Sequence, residues 1–227
     1  MKRYFVGIFL LLALLSVVGW WLTSRGTTGE IVQTTSRTVD SGVEAILPTP
    51  SSVSEGGPEV DPVSLIAFAE REFNGHDFQV EQVLADNESY TRYYITYGSG
   101  DLTISGIMNV PKGDGPFPLL LLNHGHIDTS VYTNGRGLKR EQDYLARQGY
   151  VVIHSDYRGH AQSDDDPMTD QRFRLGYAED VINAISAVRE AGLPYVDTER
   201  VGMLGHSMGG GVAWRIAVTQ PDLVDAY

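Results

Sequence analysis

A serine held between glycines is the part of this sequence that most directly indicates chemistry. The stretch Val201–Gly211 reads VGMLGHSMGGG, an apolar run of strand type followed by a helical pattern. A strand, a sharp turn and a helix with this G-x-S-x-G spacing form a nucleophile elbow, in which the serine hydroxyl is exposed. We predict that Ser207 is a nucleophile and that Gly205, His206 and Gly209 form the elbow. The alternative interpretation is a glycine-rich turn that contains an incidental serine.

A nucleophilic serine also needs donors for the oxyanion that develops during acyl transfer. The backbone N–H of Met208 follows the serine at a helix N-terminus, where negative charge is stabilised. A second backbone donor is predicted at His126, in the loop after the apolar run FPLLLLNH. The predicted lining of the substrate site comprises His124, Gly125, Tyr157 and His160. Hydrogen bonds from His124 are also expected to anchor the loop.

The same loop has a second interpretation, a metal site made of His124, His126 and Asp128. An oxyanion loop already accounts for the two histidines, and we therefore predict no metal and no cofactor. Further along the chain, DYRGH follows another apolar run. Asp156 and Arg158 are predicted to form a charged pair that locks the turn beside the site.

The elements that would position these residues alternate along the chain. The buried-strand patterns FPLLLLNH, YVVIHSDY and RVGMLGH are separated by helical patterns, which predicts parallel strands joined by helices. RYYITY and LTISGIMNV flank GSGD and predict a β-hairpin, and an earlier helix is predicted to begin at Asp61. The candidate residues all follow the ends of buried strands, where sites form in open α/β sheets.

Taken together, NHGH, DYRGHAQS and DTERVGMLGHSMGG resemble the α/β-hydrolase superfamily over roughly residues 92–227. The resemblance is greatest to the prolyl-oligopeptidase-like serine peptidases and the related dienelactone-hydrolase-like esterases. It implies an α/β-hydrolase fold, with a mostly parallel sheet and helices on both faces. It also implies an acyl-enzyme formed at Ser207 from a peptide substrate, or from an ester in the alternative carboxylesterase.

In that superfamily the nucleophile is followed by an acid and then by a histidine. No histidine follows Ser207 in the 227 residues. We therefore expect the N-terminal part of a hydrolase domain, truncated after the nucleophile helix and inactive alone. A catalytically inactive, membrane-anchored binding module is the alternative from another class of protein.

Charge and the N-terminal pattern bear on partners and location. Acidic residues outnumber basic ones 29 to 17, for a net charge of −12, which argues against nucleic acid as a partner. There is no cysteine, which excludes disulfides and a thiol nucleophile. Phe5–Leu22 is apolar, follows Lys2 and Arg3 and ends at tryptophans, which predicts a membrane anchor.

The predicted organisation is a signal anchor or transmembrane helix over 1–24, a disordered linker over 25–61 and the hydrolase segment over 62–227. The linker is rich in serine, threonine, glycine and proline, and it has too few large apolar residues to offset the entropy of ordering. The hydrolase segment is expected outside the cytoplasm, held at the membrane. Secretion after cleavage of a signal peptide is the alternative.

Overall fold

The structure is a computed structural model that describes residues 60–227. Its strands are β1 (Gly75–Asp86), β2 (Tyr90–Ser99), β3 (Leu102–Pro111), β4 (Phe117–Asn123), β5 (Val151–Ser155) and β6 (Val196–Gly205). Its α-helices are α1 (Leu65–Ala69), α2 (Lys139–Arg147), α3 (Leu175–Ala191) and α4 (Met208–Thr219). A 3₁₀ turn spans Thr129–Val131. The predicted membrane anchor and nearly all of the linker lie outside the described residues.

The six strands form one mixed sheet in the order β1-β2-β3-β5-β4-β6. The first three strands are antiparallel neighbours, and β3 also pairs antiparallel with β5. The predicted parallel arrangement is found in the second half, where β4 lies between β5 and β6 and is parallel to both. The sequence did not predict β1, because this edge strand is largely exposed, half of its residues are polar, and register shifts interrupt its alternation.

Helices cover both faces of the sheet because the buried strands are apolar on both sides. Along β4, Leu119 and Leu121 join the main core beneath α3 and α4. Leu122, on the opposite face, joins a smaller cluster with Ala146 of α2. Alternate side chains of a strand point to opposite faces, which explains why the sequence reads as a continuous apolar run.

The first helix is shorter than predicted. It begins after Ser64, whose hydroxyl accepts a hydrogen bond from the Ala67 N–H at 3.1 Å, and not at Asp61. Asp61 instead closes a turn by accepting from the Val63 N–H at 3.0 Å. Within residues 60–227, no helix is both long enough and apolar enough to cross a membrane.

The last described residues pair with the outer edge of β6. The Met203 N–H donates to the Ala226 carbonyl and the Asp225 N–H donates to the Val201 carbonyl, each at 2.8 Å. These bonds make a parallel bridge between Gly202 and Ala226. Because β4 is parallel to both β5 and β6, the carboxyl ends of these three strands lie side by side. The loops that follow them meet at one edge of the sheet.

Candidate active site

Ser207 occupies a strained turn between β6 and α4. Its backbone has φ +54° and ψ −118°, a conformation that is costly for a residue with a side chain, and the residue is exposed. A Cβ at Gly205 would lie 2.6 Å from the Gly209 carbonyl carbon, so the turn requires glycine at position 205. The sequence context of strand, glycine, serine and helix therefore folds as the elbow that its pattern predicts.

The glycines after the serine differ in what they do. A Cβ at Gly209 would lie 2.7 Å from the His124 carbonyl oxygen and closer still to the Asn123 carbonyl, so α4 can approach β4 only with glycine there. Gly210 and Gly211 are not required for this close approach. A Cβ at either position would meet its nearest neighbour at 3.6 Å or more, an ordinary contact.

Two backbone N–H groups near the serine have no acceptor of their own within the described residues. Among residues 60–227, neither the Met208 N–H nor the His126 N–H donates to a protein acceptor. Gly125 lets the loop that carries His126 close on the serine, because a Cβ at Gly125 would lie 3.2 Å from the Ser207 Cβ. The elbow is also tied to this loop by the His206 N–H, which donates to the Asn123 carbonyl at 3.0 Å.

A cavity of about 390 Å³ opens beside Ser207. Its lining combines the elbow, the loop after β4 and the start of α2: Gly125, His126, Ile127, Gly137, Leu138, Glu141, His206 and Ser207. Glu141 was not predicted from the sequence, because it reads as an ordinary acidic residue in the first turn of a helix. No local pattern places that turn at the pocket.

Three of the residues predicted to line the substrate site are buried beneath the loop. His124 and Tyr157 are fully buried, and their rings stack with centroids 4.4 Å apart. His160 is also buried and contacts the His124 ring edge to face, at 5.5 Å. The structure therefore places these rings in an aromatic cluster that supports the loop, and Gly125 is the predicted lining residue that reaches the cavity beside Ser207.

His124 makes the loop-anchoring contacts expected of it. Its Nδ1 lies 2.7 Å from the Gly125 carbonyl and its Nε2 lies 3.3 Å from the Asp156 carbonyl. Burial lowers the pKa of His124, and burial lowers that of the neighbouring His154 still further. The His154 ring stacks on His124 at 5.2 Å, and neither of its nitrogens has a hydrogen-bond partner within the described part of the chain.

Asp156 and Arg158 do not form the predicted pair. The buried Asp156 carboxylate accepts four hydrogen bonds, from the Ser105 hydroxyl, the Tyr132 hydroxyl, the Asn134 amide and the Gly135 N–H, at 2.6–2.8 Å. These bonds hold the segment that joins the loop after β4 to α2. Because neutral donors satisfy this carboxylate, Asp156 does not need the arginine.

Arg158 pairs instead with Asp180 of α3. Its Nη2 lies 2.7 Å from the fully buried Asp180 carboxylate, and Asp166 and Glu179 lie 3.2 Å from the guanidinium. Burial disfavours the cation, but the hydrogen bonds and negative charges of Asp180, Glu179 and Asp166 together outweigh this and raise the pKa of Arg158. The turn after β5 is therefore locked to α3, a partner that a local sequence pattern does not reveal.

The described residues bring no base into contact with the serine. The Ser207 side chain makes no capping hydrogen bond, and no histidine side chain among residues 60–227 is hydrogen-bonded to it. The alternative metal site is not assembled either, since the described residues contain no group of three or more potential ligands that could hold an ion. The arrangement can present an exposed hydroxyl beside two N–H donors and a cavity.

Comparison with known proteins agrees with this geometry. The family model described as the alpha/beta hydrolase fold matches residues 118–227. The acetyl xylan esterase 1 of a Thermoanaerobacterium species has a similar fold, with a TM-score of 0.51 and 23% identity over 65% of this chain and 50% of that one. Residues 118–227 therefore have the α/β-hydrolase fold.

Two curated relatives match by sequence. An uncharacterised protein of Mycobacterium tuberculosis is 37% identical over 123 residues, which cover 54% of this chain and 31% of the relative. The esterase FrsA of Vibrio cholerae is 32% identical over 123 residues, which cover 54% of this chain and 27% of the relative. The chain thus matches about a third or less of the length of these relatives.

Proposed function

We propose that this chain carries the nucleophile and the oxyanion donors of a serine esterase. The observation that carries the proposal is the exposed Ser207 at φ +54°, followed at once by the Met208 N–H, which has no acceptor among the described residues. The His126 N–H also has no acceptor there, and His126 lines the same cavity as Ser207. The hydroxyl would attack the ester carbonyl, the alcohol would leave, and the serine would hold the acyl group until water releases it. The two N–H groups would stabilise the oxyanion.

An ester is a better-supported substrate than a peptide. A relative that matches at 32% identity is called an esterase, and a second, the esterase EstD of Thermotoga maritima, matches at 29%. Ester alcohols are also better leaving groups than peptide amines and depend less on a general acid. Because no imidazole is hydrogen-bonded to Ser207 within residues 60–227, ester acylation is the step that this chain supports best.

The test is to trap the acyl-enzyme. The protein is incubated with p-nitrophenyl butyrate and with the matched p-nitroanilide, and the modified peptide is identified by mass spectrometry. We expect slow butyrylation of Ser207 by the ester and none by the anilide, with loss of the adduct in Ser207→Ala and retention in the control Ser130→Ala. If the Ser207→Ala variant is butyrylated as much as the original protein, the proposal is contradicted. If the anilide acylates Ser207 as fast as the ester does, a peptidase is favoured.

A further inference from the structure

One carboxylate lies in the cavity beside Ser207. Glu141 is the acidic residue among the lining side chains of that cavity, and its neighbours there are glycines, two aliphatic side chains, two histidines and the serine. It is half-buried, and its side chain has no hydrogen bond or ion pair with another described residue. Lys139 and Arg140 precede it on α2, but both are exposed and neither lines the cavity.

The first turn of α2 is held rigidly at the cavity. The neighbouring residue Gln142 is fully buried, and its side-chain amide donates to the Gly135 and Gly137 carbonyls at 3.1 and 2.7 Å. Its side-chain oxygen accepts from Arg92 at 2.8 Å. Leu138, the N-cap residue of α2, has φ +50°, a strained conformation. Glu141 therefore occupies a defined position at the wall of the cavity.

A half-buried carboxylate with no partner among the described residues favours a cation next to it and disfavours an anion. We infer that the cavity selects substrates whose acyl or alcohol part carries an ammonium group, which Glu141 binds by a charge-assisted hydrogen bond. This inference rests on the proposed function, because it assigns a substrate group to the pocket of Ser207. A carboxylate in a first helical turn also stabilises the helix, but that role would leave ligand affinity unchanged.

The test measures binding, so that it does not depend on turnover. Benzylammonium, benzyl alcohol and benzoate are titrated onto the full chain, and affinities are measured by ligand-observed NMR. We expect the affinity to be highest for benzylammonium, lower for benzyl alcohol and lowest for benzoate. In Glu141→Gln the affinity for benzylammonium falls about fivefold, the scale of one partly solvated ion pair, while that for benzyl alcohol is unchanged. The control Glu88→Gln removes an exposed acid elsewhere and leaves all three affinities as they were.

Two further variants separate this inference from the proposed function. Ser207→Ala keeps the preference for benzylammonium even though it cannot form an acyl-enzyme, and Glu141→Lys reverses the preference towards benzoate. If Glu141→Gln binds benzylammonium as tightly as the original protein, the inference is overturned. If the preference depends on Glu141 but Ser207 is never acylated, the cation site stands and the proposed esterase fails.

Discussion

Gly209 stands so close to the Asn123 carbonyl that no side chain fits between them. This approach brings the N-terminus of α4 against the end of β4, and so brings Ser207 close to the loop that carries His126. The placement of the predicted oxyanion donors thus depends on a contact between two backbones. The contact is possible because the residue at position 209 is glycine.

Substitution of this glycine should therefore destabilise the protein. Gly209→Ala forces backbone movement, and we expect a loss of about 1–3 kcal/mol in the free energy of unfolding, measured by urea denaturation. Gly211→Ala is the matched control, because a Cβ there meets nothing closer than 3.8 Å, and alanine in place of a helical glycine gains up to about 1 kcal/mol. Equal effects of the two substitutions would show that the close approach is unimportant.

The ion pair of Arg158 and Asp180 predicts a second difference in stability. Asp180→Asn leaves the buried guanidinium short of its main partner and weakens the hydrogen bond from the Ser99 hydroxyl, so we expect a loss of about 3–5 kcal/mol. The control Arg200→Gln removes an exposed ion pair with Asp197 and should change the midpoint of urea denaturation little. A small effect of Asp180→Asn would contradict the proposed lock between the turn after β5 and α3.

The buried histidines predict that the protein is less stable in acid. Because burial lowers the pKa of His124 and His154 in the folded state, the unfolded chain takes up protons first. Their contribution is complete above the ordinary histidine pKa of about 6.5 and is lost as the pH falls below it. His154→Phe removes a ring whose nitrogens have no partner. It should flatten the dependence of unfolding free energy on pH between about 6.5 and 5.

His76 provides a control of opposite sign. Its Nδ1 lies 2.8 Å from the Asp77 carboxylate, and this hydrogen bond raises the pKa of His76. Its contribution is therefore present below the ordinary pKa and is lost as the pH rises through the raised one. His76→Gln should destabilise at pH 5 and have little effect at pH 9. If His154→Phe and His76→Gln give the same pH profile, the assignment of these shifts is wrong.

The predicted membrane anchor concerns residues that the structure does not describe. From the apolar run Phe5–Leu22 we expect the expressed protein to sediment with membranes and to resist carbonate extraction. Arginine in place of Leu12 and Leu15 adds about 5–7 kcal/mol to the cost of insertion and should release it. Soluble protein with a processed N-terminus near Thr23 would favour a cleaved signal peptide instead.

Local pattern was sufficient to predict the elbow, because a strand, a glycine, the serine and a helix with glycines in its first turn are contiguous in the sequence. The same was true of the hairpin and the buried strands, whose apolar runs report burial on two faces. β1 was missed because it is a polar edge strand, with little apolar periodicity to detect. Predicted from sequence alone, the sheet was therefore more parallel than the one observed.

Glu141 at the wall of the cavity and Asp180, the partner of Arg158, could be identified only from the folded structure. Glu141 and Asp180 lie on helices, far from Ser207 and Arg158 in sequence, and only the order of the strands brings them close. His160 looked like a substrate contact because it follows a strand end, yet its ring is buried against His124. A residue at the functional edge of a sheet can thus support the site from below and never meet the substrate.

The most direct test of the central claim is covalent labelling of the full chain by a fluorophosphonate, with the adduct located by mass spectrometry. We predict slow labelling of Ser207, because the hydroxyl is exposed beside oxyanion donors but has no hydrogen-bonded base among the described residues. Ser207→Ala should abolish it and Ser130→Ala should not. Labelling that persists unchanged in Ser207→Ala would contradict the claim. Fast labelling of Ser207 that is lost in His126→Ala would show instead that a histidine of this chain serves as the base.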